Sequence, residues 1–315
     1  MYKATKIAVV IPCYNEAKLI TKTIETLPQS IDYIIAVNDA STDNTLDVIN
    51  NIARSNKKVI VLDNAQNGGV GYSLKNGFKY AVANTDADAV GIVSGDAQCD
   101  PAYIEPMLDV FLERHYDYVK GNRFFHRDAL KSMPRHRRFG NIFISLLTKF
   151  STGYYSISDT TMGFGFLRRS TLEQLNYELV RNRYDYETSM LVALSIIGAR
   201  LKDFPVPAIY GEETSTIDFW PTVGRVLRMI WKGFWQRIYY KYILFSFHPI
   251  ALFLFSGTLL SGLGFIFGIY ILFEKLANSL SPSTGTVMLC VLPLIVGFQM
   301  LLTALIMDVY NEERG

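Results

Sequence analysis

The chain has 315 residues, half of them hydrophobic, which allows one large α/β domain and an appendage. Its net charge is only +2, so global electrostatics give no support to a nucleic-acid partner. Three scattered cysteines, Cys13, Cys99 and Cys290, exclude a disulfide framework and a cysteine metal cluster, and fit a reducing compartment.

Residues 7–12 (IAVVIP) are a β-branched run ended by proline, the pattern of a buried strand. The run is too short for the apolar core of a signal peptide, and polar residues follow at once. Cys13, Tyr14, Asn15 and Glu16 form the next loop, and a helix is predicted over about 17–27. Residues 33–37 (YIIAV) are a second strand, ending in Asn38-Asp39-Ala40-Ser41-Thr42-Asp43, where Asp43 or Thr42 can cap the following helix. Residues 59–62 are a third strand. Asn67-Gly68-Gly69-Val70-Gly71 then leads into a helix that runs to about Ala83. Gly69-Val70-Gly71 starts like a dinucleotide fingerprint, but the third glycine is missing and the segment follows the third strand. A tight turn with backbone close to a ligand phosphate is the better reading.

Residues 89–93 (AVGIV) are a fourth buried strand, followed by Ser94-Gly95-Asp96-Ala97-Gln98-Cys99-Asp100-Pro101. Pro101 opens a helix that continues through Leu108 and Phe111. Alternating strands and helices at this spacing predict a doubly wound parallel sheet, whose right-handed crossovers bring all strand-end loops to one edge. Asp39, Asn67 and Asp96 therefore converge at the edge where open α/β sheets bind ligands. Asp96, Gln98 and Asp100 are hard oxygen ligands suited to Mg²⁺ or Mn²⁺ on a substrate diphosphate. The alternative is a polar turn, with Asp100 as a helix N-cap.

Residues 118–123 (YVKGNR) predict a short strand that leaves Arg123 at the same edge, and 127–138 a basic loop. Residues 141–150 have a helical period, and Asp159 precedes a glycine-aromatic strand over 163–166. A helix is predicted from Tyr184 to about Ile197, stopped by Gly198, and a strand over 201–209.

The last third differs. Residues 221–241 carry Arg225, Arg228, Lys232, Arg237 and Lys241, no acid, and interleaved Trp231, Trp235, Tyr239 and Tyr240. This is the pattern of a helix lying in the lipid headgroup region. Residues 242–273 contain no Asp, Glu, Lys or Arg, and 285–307 form a second uncharged span with a kink expected at Pro293. Both are long enough to cross a bilayer. Basic residues ahead of the first span predict that this side, and with it both termini, stays cytoplasmic.

Three motifs now stand in order: Ile11-Pro12-Cys13-Tyr14-Asn15-Glu16, Asn38-Asp39-Ala40-Ser41-Thr42-Asp43 and Gly95-Asp96-Ala97-Gln98-Cys99-Asp100-Pro101. Together they resemble the inverting family 2 glycosyltransferases with a GT-A fold. Asn67 to Gly71, Gly121-Asn122-Arg123, Arg137-Arg138 and Asp159 with Gly163-Phe164 resemble the branch of dolichyl-phosphate mannose synthase and polyprenyl-phosphate glycosyltransferases. The resemblance covers roughly residues 5–217, and paired C-terminal spans recur in that branch. It implies a GT-A domain over 1–217, an amphipathic juxtamembrane region over 218–247, two transmembrane helices over 248–309 and a cytoplasmic tail over 310–315.

The resemblance also implies roles. Pro12, Tyr14, Glu16 and Asp39 would hold the nucleotide, together with Asp96. Asp96 and Gln98 would hold Mg²⁺ or Mn²⁺. Arg123, Arg137 and Asn141 would face the acceptor phosphate, and Glu187 is a candidate sugar contact. The implied partners are a nucleotide-sugar donor, UDP- or GDP-linked, a polyprenyl phosphate acceptor and the membrane. A homo-oligomer is left open. Two departures matter: Ser94 stands where the family has a first aspartate, and Val70 where many relatives have lysine.

A phosphate acceptor is mostly deprotonated at neutral pH, so no general base is obligatory. The expected catalytic set is Asp96, Arg123, Arg137 and Asp159, with Asp159 either orienting an arginine or capping a strand. A hydroxyl acceptor would need a base, for which Asp159 or Glu187 could serve. The lost first carboxylate leaves a third reading, a degenerate module that binds nucleotide sugar without turnover.

Overall fold

The computed structural model describes residues 1–97, 99–125, 135–160, 162–183, 185–207, 219–245, 247–278 and 282–314, with side chains outside 135–142, 219–223, 225, 278 and 313–314. The chain divides into two compact units, Met1–Trp235 and Gln236–Gly315.

In the first unit, the side-chain alternation of β1 (Ile7–Cys13) builds two cores. Ile7, Val9 and Ile11 enter one, Ala8 and Val10 the other. Such burial on both faces is what a central parallel strand requires. β1 pairs in parallel with β2 (Tyr33–Asn38) and β4 (Ala89–Ile92), and β3 (Val59–Asp63) lies outside β2. α1 (Ile20–Glu25), α2 (Thr45–Ser55) and α4 (Ile104–Glu113) cover one face through Ile24, Ile49, Met107 and Phe111. α3 (Val70–Asn84) covers the other through Leu74 and Phe78. It approaches so closely that a Cβ at Gly77 would overlap Val10.

The described sheet has seven strands in the order β3-β2-β1-β4-β6-β5-β7, with β5 at Tyr118–Asn122, β6 at Gly165–Arg168 and β7 at Leu201–Pro205. It is GT-A-like, but not wholly parallel as expected. β6 runs antiparallel to both β4 and β5, so β5 again points the same way as β4. The physical reason is the long excursion before β6, through α5 (Arg135–Thr152), which returns the chain at the carboxyl edge. Arg135 to Arg138, expected in a loop, form the first turn of α5. α6 (Arg169–Gln174) follows β6, and α7 (Tyr186–Ile196) precedes β7. Gly198 takes φ +71° after α7, as its expected stop requires. Ahead of α4, Asp100 is the foreseen N-cap of a short 3-10 turn over Pro101–Tyr103, accepting from the Ala102 amide at 3.0 Å.

α8 (Phe219–Arg237) closes the first unit and leads into a π-helical turn over Ile238–Leu244. The second unit is a hairpin of α9 (Pro249–Asn278) and α10 (Thr284–Arg314), which continues through Pro293. Two windows, Pro249–Ala277 and Thr284–Glu312, are long and apolar enough to cross a membrane. Small residues set their packing: a Cβ on Gly257 would meet the Gly297 carbonyl at 2.9 Å, and Cys290 Sγ donates to the Gly264 carbonyl at 3.3 Å.

Arg237, expected on a headgroup-facing stripe, is fully buried instead. Its Nη1 and Nη2 donate to Asp308 Oδ1 and Oδ2 at 2.7 and 2.9 Å, and the Tyr242 hydroxyl also donates to that carboxylate. A buried carboxylate outweighs headgroup water for this one cation. Asp308→Ala, which takes the carboxylate from the buried guanidinium, lowers stability by ~3–5 kcal/mol. The double replacement Arg237→Leu/Asp308→Leu costs far less, as thermal unfolding of the detergent-solubilised chain reads out.

Candidate active site

The carboxyl ends of β1, β2, β3 and β4 bring four loops together around a cleft of about 500 Å³. Pro12, Tyr14, Glu16, Asp39, Asn67 and Asp96 all line it. The expected convergence of Asp39, Asn67 and Asp96 is therefore present.

The first two loops are laced to each other. The Thr42 amide donates to Asn15 Oδ1 at 2.8 Å, and the Asn15 amide to Ser41 Oγ at 3.1 Å. The Glu16 amide donates to Thr45 Oγ1 at 2.8 Å. Asn15 takes φ +58°, which asparagine tolerates better than most residues. Tyr14 is left projecting, 47 % exposed, on the cleft wall.

Asp39 is buried, and its carboxylate organises the third loop. Oδ1 accepts from the Gly68 amide at 3.0 Å and Asn64 Nδ2 at 2.9 Å, and Oδ2 from the Gly69 amide at 2.7 Å. These bonds use three of about four acceptor positions on a carboxylate. Gly69 sits at φ +92°, with Asn182 and Arg183 packed where a Cβ would be. The expected tight turn before α3 is present.

The fourth loop follows β4. The buried Thr23 hydroxyl donates to the Gly95 carbonyl at 3.0 Å, and Ala97 takes φ +56°. This holds Asp96 at the cleft in a turn that L-residues adopt at a cost. Among the described residues no group of three or more His, Cys, Asp or Glu side chains could enclose an ion. With Asp39 occupied by N–H donors, a hard cation in the cleft would have Asp96 as a protein ligand and would need further oxygens from outside the chain, as Mg²⁺ usually does. Gln98 lies outside the described residues.

A second cluster lies at the end of β5, along the same edge. Arg123 donates from Nε to Asp159 Oδ2 at 2.8 Å and from Nη2 to Oδ1 at 3.1 Å, and its amide reaches Oδ2 at 3.2 Å. Asp159 has no exposed surface. Burial would raise its pKa, but hydrogen bonds from Arg123 and the charges of Lys120 and Arg123 outweigh that and hold it below the ordinary value. Of its two expected roles, Asp159 therefore has the arginine-orienting geometry.

Lys120, buried within β5, donates to the carbonyls of Asp159 and Gly121 and lies 4.0 Å from Asp203. Asp203 Oδ2 accepts from Asn122 Nδ2 at 2.5 Å and the Ser158 amide at 2.8 Å. Half-buried Glu187, in the first turn of α7, has its pKa raised to about 7 by burial, against the opposing pull of Lys120 and Arg123. The side chains of Arg137 and Asn141 lie outside the described set.

Sequence reasoning missed Lys120, Asp203 and Arg183. A lysine inside an apolar strand was a readable signal for the first. Arg183 lines the cleft from the loop before α7, so a cation stands there although Val70 replaces the lysine of many relatives.

This sheet, with its cleft at the carboxyl edge, is the GT-A fold of nucleotide-diphospho-sugar transferases. Glucosyl-3-phosphoglycerate synthase from Mycobacterium tuberculosis, solved with Mn²⁺ and UDP, superimposes with a TM-score of 0.53 at 17 % identity, covering 74 % of this chain and 80 % of that one. The sequence profile of Glycosyl transferase family 2 matches residues 8–175, just over half the chain, and the chain belongs to that family. It is 30 % identical over 219 residues to the UDP-N-acetylglucosamine–dolichyl-phosphate N-acetylglucosaminyltransferase of Methanococcus voltae, covering 65 % of this chain and 86 % of that one. It is 22 % identical over 249 residues to the undecaprenyl-phosphate mannosyltransferase of Micrococcus luteus, covering 74 % and 99 %.

Between about pH 4.5 and 7 the folded chain holds a proton on Glu187 that the unfolded chain releases, so this residue makes stability fall as pH rises through that window. Glu187→Gln therefore flattens the decline in thermal midpoint between pH 5 and pH 8.

Proposed function

We propose that this chain transfers a sugar, with inversion, from a nucleotide-diphosphate sugar to a polyprenyl phosphate at the cytoplasmic membrane face. The observation that carries this reading is the Arg123–Asp159 fork beside the Asp96 cleft. It is a preformed cation, oriented by a buried carboxylate, at the edge where the donor diphosphate would lie. The names of the two relatives and the two apolar helices support a lipid-phosphate acceptor.

The donor nucleotide lies against Pro12, Tyr14, Glu16 and Asp39, and the Gly68–Gly69 turn held by Asp39 carries backbone close to it. Asp96 and Gln98 would hold a Mg²⁺ or Mn²⁺ ion, which when bound neutralises charge on the departing nucleoside diphosphate. Arg183 adds a cation from the other wall. Arg123, with Arg137 and Asn141, binds the acceptor phosphate; the Asp159 fork takes two of the five guanidinium donors. An acceptor phosphate oxygen attacks the anomeric carbon from the face opposite the diphosphate. A new carbon–oxygen bond forms as the bond to the nucleoside diphosphate breaks. The attacking oxygen is already ionised, so the chain supplies positioning and charge stabilisation rather than a base.

Residues 1–217 are assigned as the transferase domain, 218–247 as the juxtamembrane region, 248–309 as the two spans and 310–315 as the tail. The basic residues of 221–236 favour a cytoplasmic orientation. One observation favours a second reading. A carboxyl with its pKa near 7, Glu187, suits a general base for a hydroxyl acceptor, whereas Asp159 is held ionised by Arg123.

Transfer from a panel of UDP- and GDP-sugars to polyprenyl phosphate in detergent yields a lipid product labile to mild acid. Asp96→Ala lowers that transfer by ~100-fold or more. An acid-stable product would assign the acceptor as a hydroxyl, and donor binding without turnover would sink the transferase reading. Asp159→Asn raises KM for the acceptor by ~10–100-fold with little change in KM for the donor, and adds little to Arg123→Ala.

A further inference from the structure

The two faces of α10 differ. One face packs on α9 through Cys290, Leu294, Gly297 and Leu301. Turned away from it are Leu292, Ile295, Gln299, Leu302 and Ile306, in steps of three, four, three and four. All five are exposed, the four apolar ones by 40–59 %. This is the spacing of a two-heptad helix-pairing seam, with a polar residue at one core position.

Gln299 sits fifteen residues after Thr284 and thirteen before Glu312, about 22 and 20 Å from the ends of that span. If the span crosses a bilayer, whose hydrocarbon core is about 30 Å thick, the carboxamide lies near its middle. No hydrogen bond to the Gln299 side chain is made among the described residues, whose contact with it is the Thr303 hydroxyl on its backbone carbonyl. An unsatisfied amide in hydrocarbon is costly, and acyl chains offer neither donor nor acceptor.

We infer that α10 pairs with α10 of a second copy along this seam, with Gln299 against Gln299. A carboxamide is self-complementary: each N–H donates to the other C=O, giving two reciprocal hydrogen bonds. Copies inserted the same way carry Gln299 at the same depth, so a two-fold axis along the membrane normal brings the two amides together. A second copy is thus guaranteed a matching partner at that depth, where a different membrane protein is not. Leu292, Ile295, Leu302 and Ile306 pack above and below the amide pair. In lipid such packing has no hydrophobic drive of its own, so the amide pair sets the register. The inference rests on the membrane-spanning reading of α10 and is independent of the sugar and the acceptor.

The test uses the full chain in liposomes, with donor- and acceptor-labelled copies mixed over a range of protein-to-lipid ratios. Energy transfer reports a dimer for the wild type. Gln299→Leu weakens association about three- to tenfold, Gln299→Asn retains most of it, and Phe298→Leu, about 100° around the helix, leaves it unchanged. In a background with Cys13, Cys99 and Cys290 replaced by alanine, Ile306→Cys forms a disulfide-linked dimer on oxidation and Phe298→Cys does not. A monomer at every ratio, association unaffected by Gln299→Leu, or equal cross-linking from both cysteines would overturn the seam. Sugar transfer measured on the same samples separates the two readings: an active monomer removes the seam and leaves the transferase, and an inactive dimer does the reverse.

Discussion

Asp159 is a carboxylate with no exposed surface, and its charge persists only because Arg123 and Lys120 answer it. Much of the edge beyond β4 follows from that constraint. Lys120 must leave the face of β5 and reach the Asp159 carbonyl, which draws the loop before β6 over the strand end. Arg123 is locked in the one orientation that satisfies both carboxylate oxygens. Asp203 comes close to Lys120 from β7 and is itself held by Asn122 and Ser158. Glu187, the remaining acid, is raised toward neutrality by burial although both cations lie near it. Burial pushes Asp203 in the same direction, so of these three acids it is Asp159, forked by Arg123, that is held below its ordinary pKa.

The β1–β4 part of the edge obeys the same rule with different hydrogen-bond donors. Asp39 is answered by backbone amides and an asparagine rather than by a cation. A carboxylate saturated in this way stiffens the glycine turn in front of α3 and is poorly placed to enclose a metal. Asp96 stands at the cleft wall, on a turn with a positive φ next to it, and shares that cleft with Glu16. The missing first aspartate at Ser94 is consistent with this division of labour.

Much of this was legible in the linear order of residues. Each strand of the first half is a short β-branched run followed by a turn, and right-handed crossovers bring their ends together without further information. The direction of β6 was not legible, because a four-residue strand, Gly165–Arg168, reads the same in either sense. The partners of the buried cations were hidden for a related reason. A lysine inside an apolar strand hints at burial, but hydropathy cannot say that Asp203 on β7 will lie near Lys120, or that a carboxylate 71 residues away will meet Arg237. Arg183 joins the cleft only because the loop before α7 folds against Gly69. Such pairings over long sequence separations lie beyond any local pattern.

The Arg237–Asp308 pair has a consequence for how the chain is made. Arg237 leaves the ribosome before either apolar helix, and its carboxylate, Asp308, lies in the last two turns of α10. Until α10 folds back on α9, the guanidinium lacks its contact with the Asp308 carboxylate, and water must take that place. Closure of the pair therefore requires both helices of the hairpin to be in place. A chain ending after α9 would carry Arg237 beside an apolar segment without the Asp308 carboxylate, so a finished hairpin and an unfinished one differ by a buried charge pair.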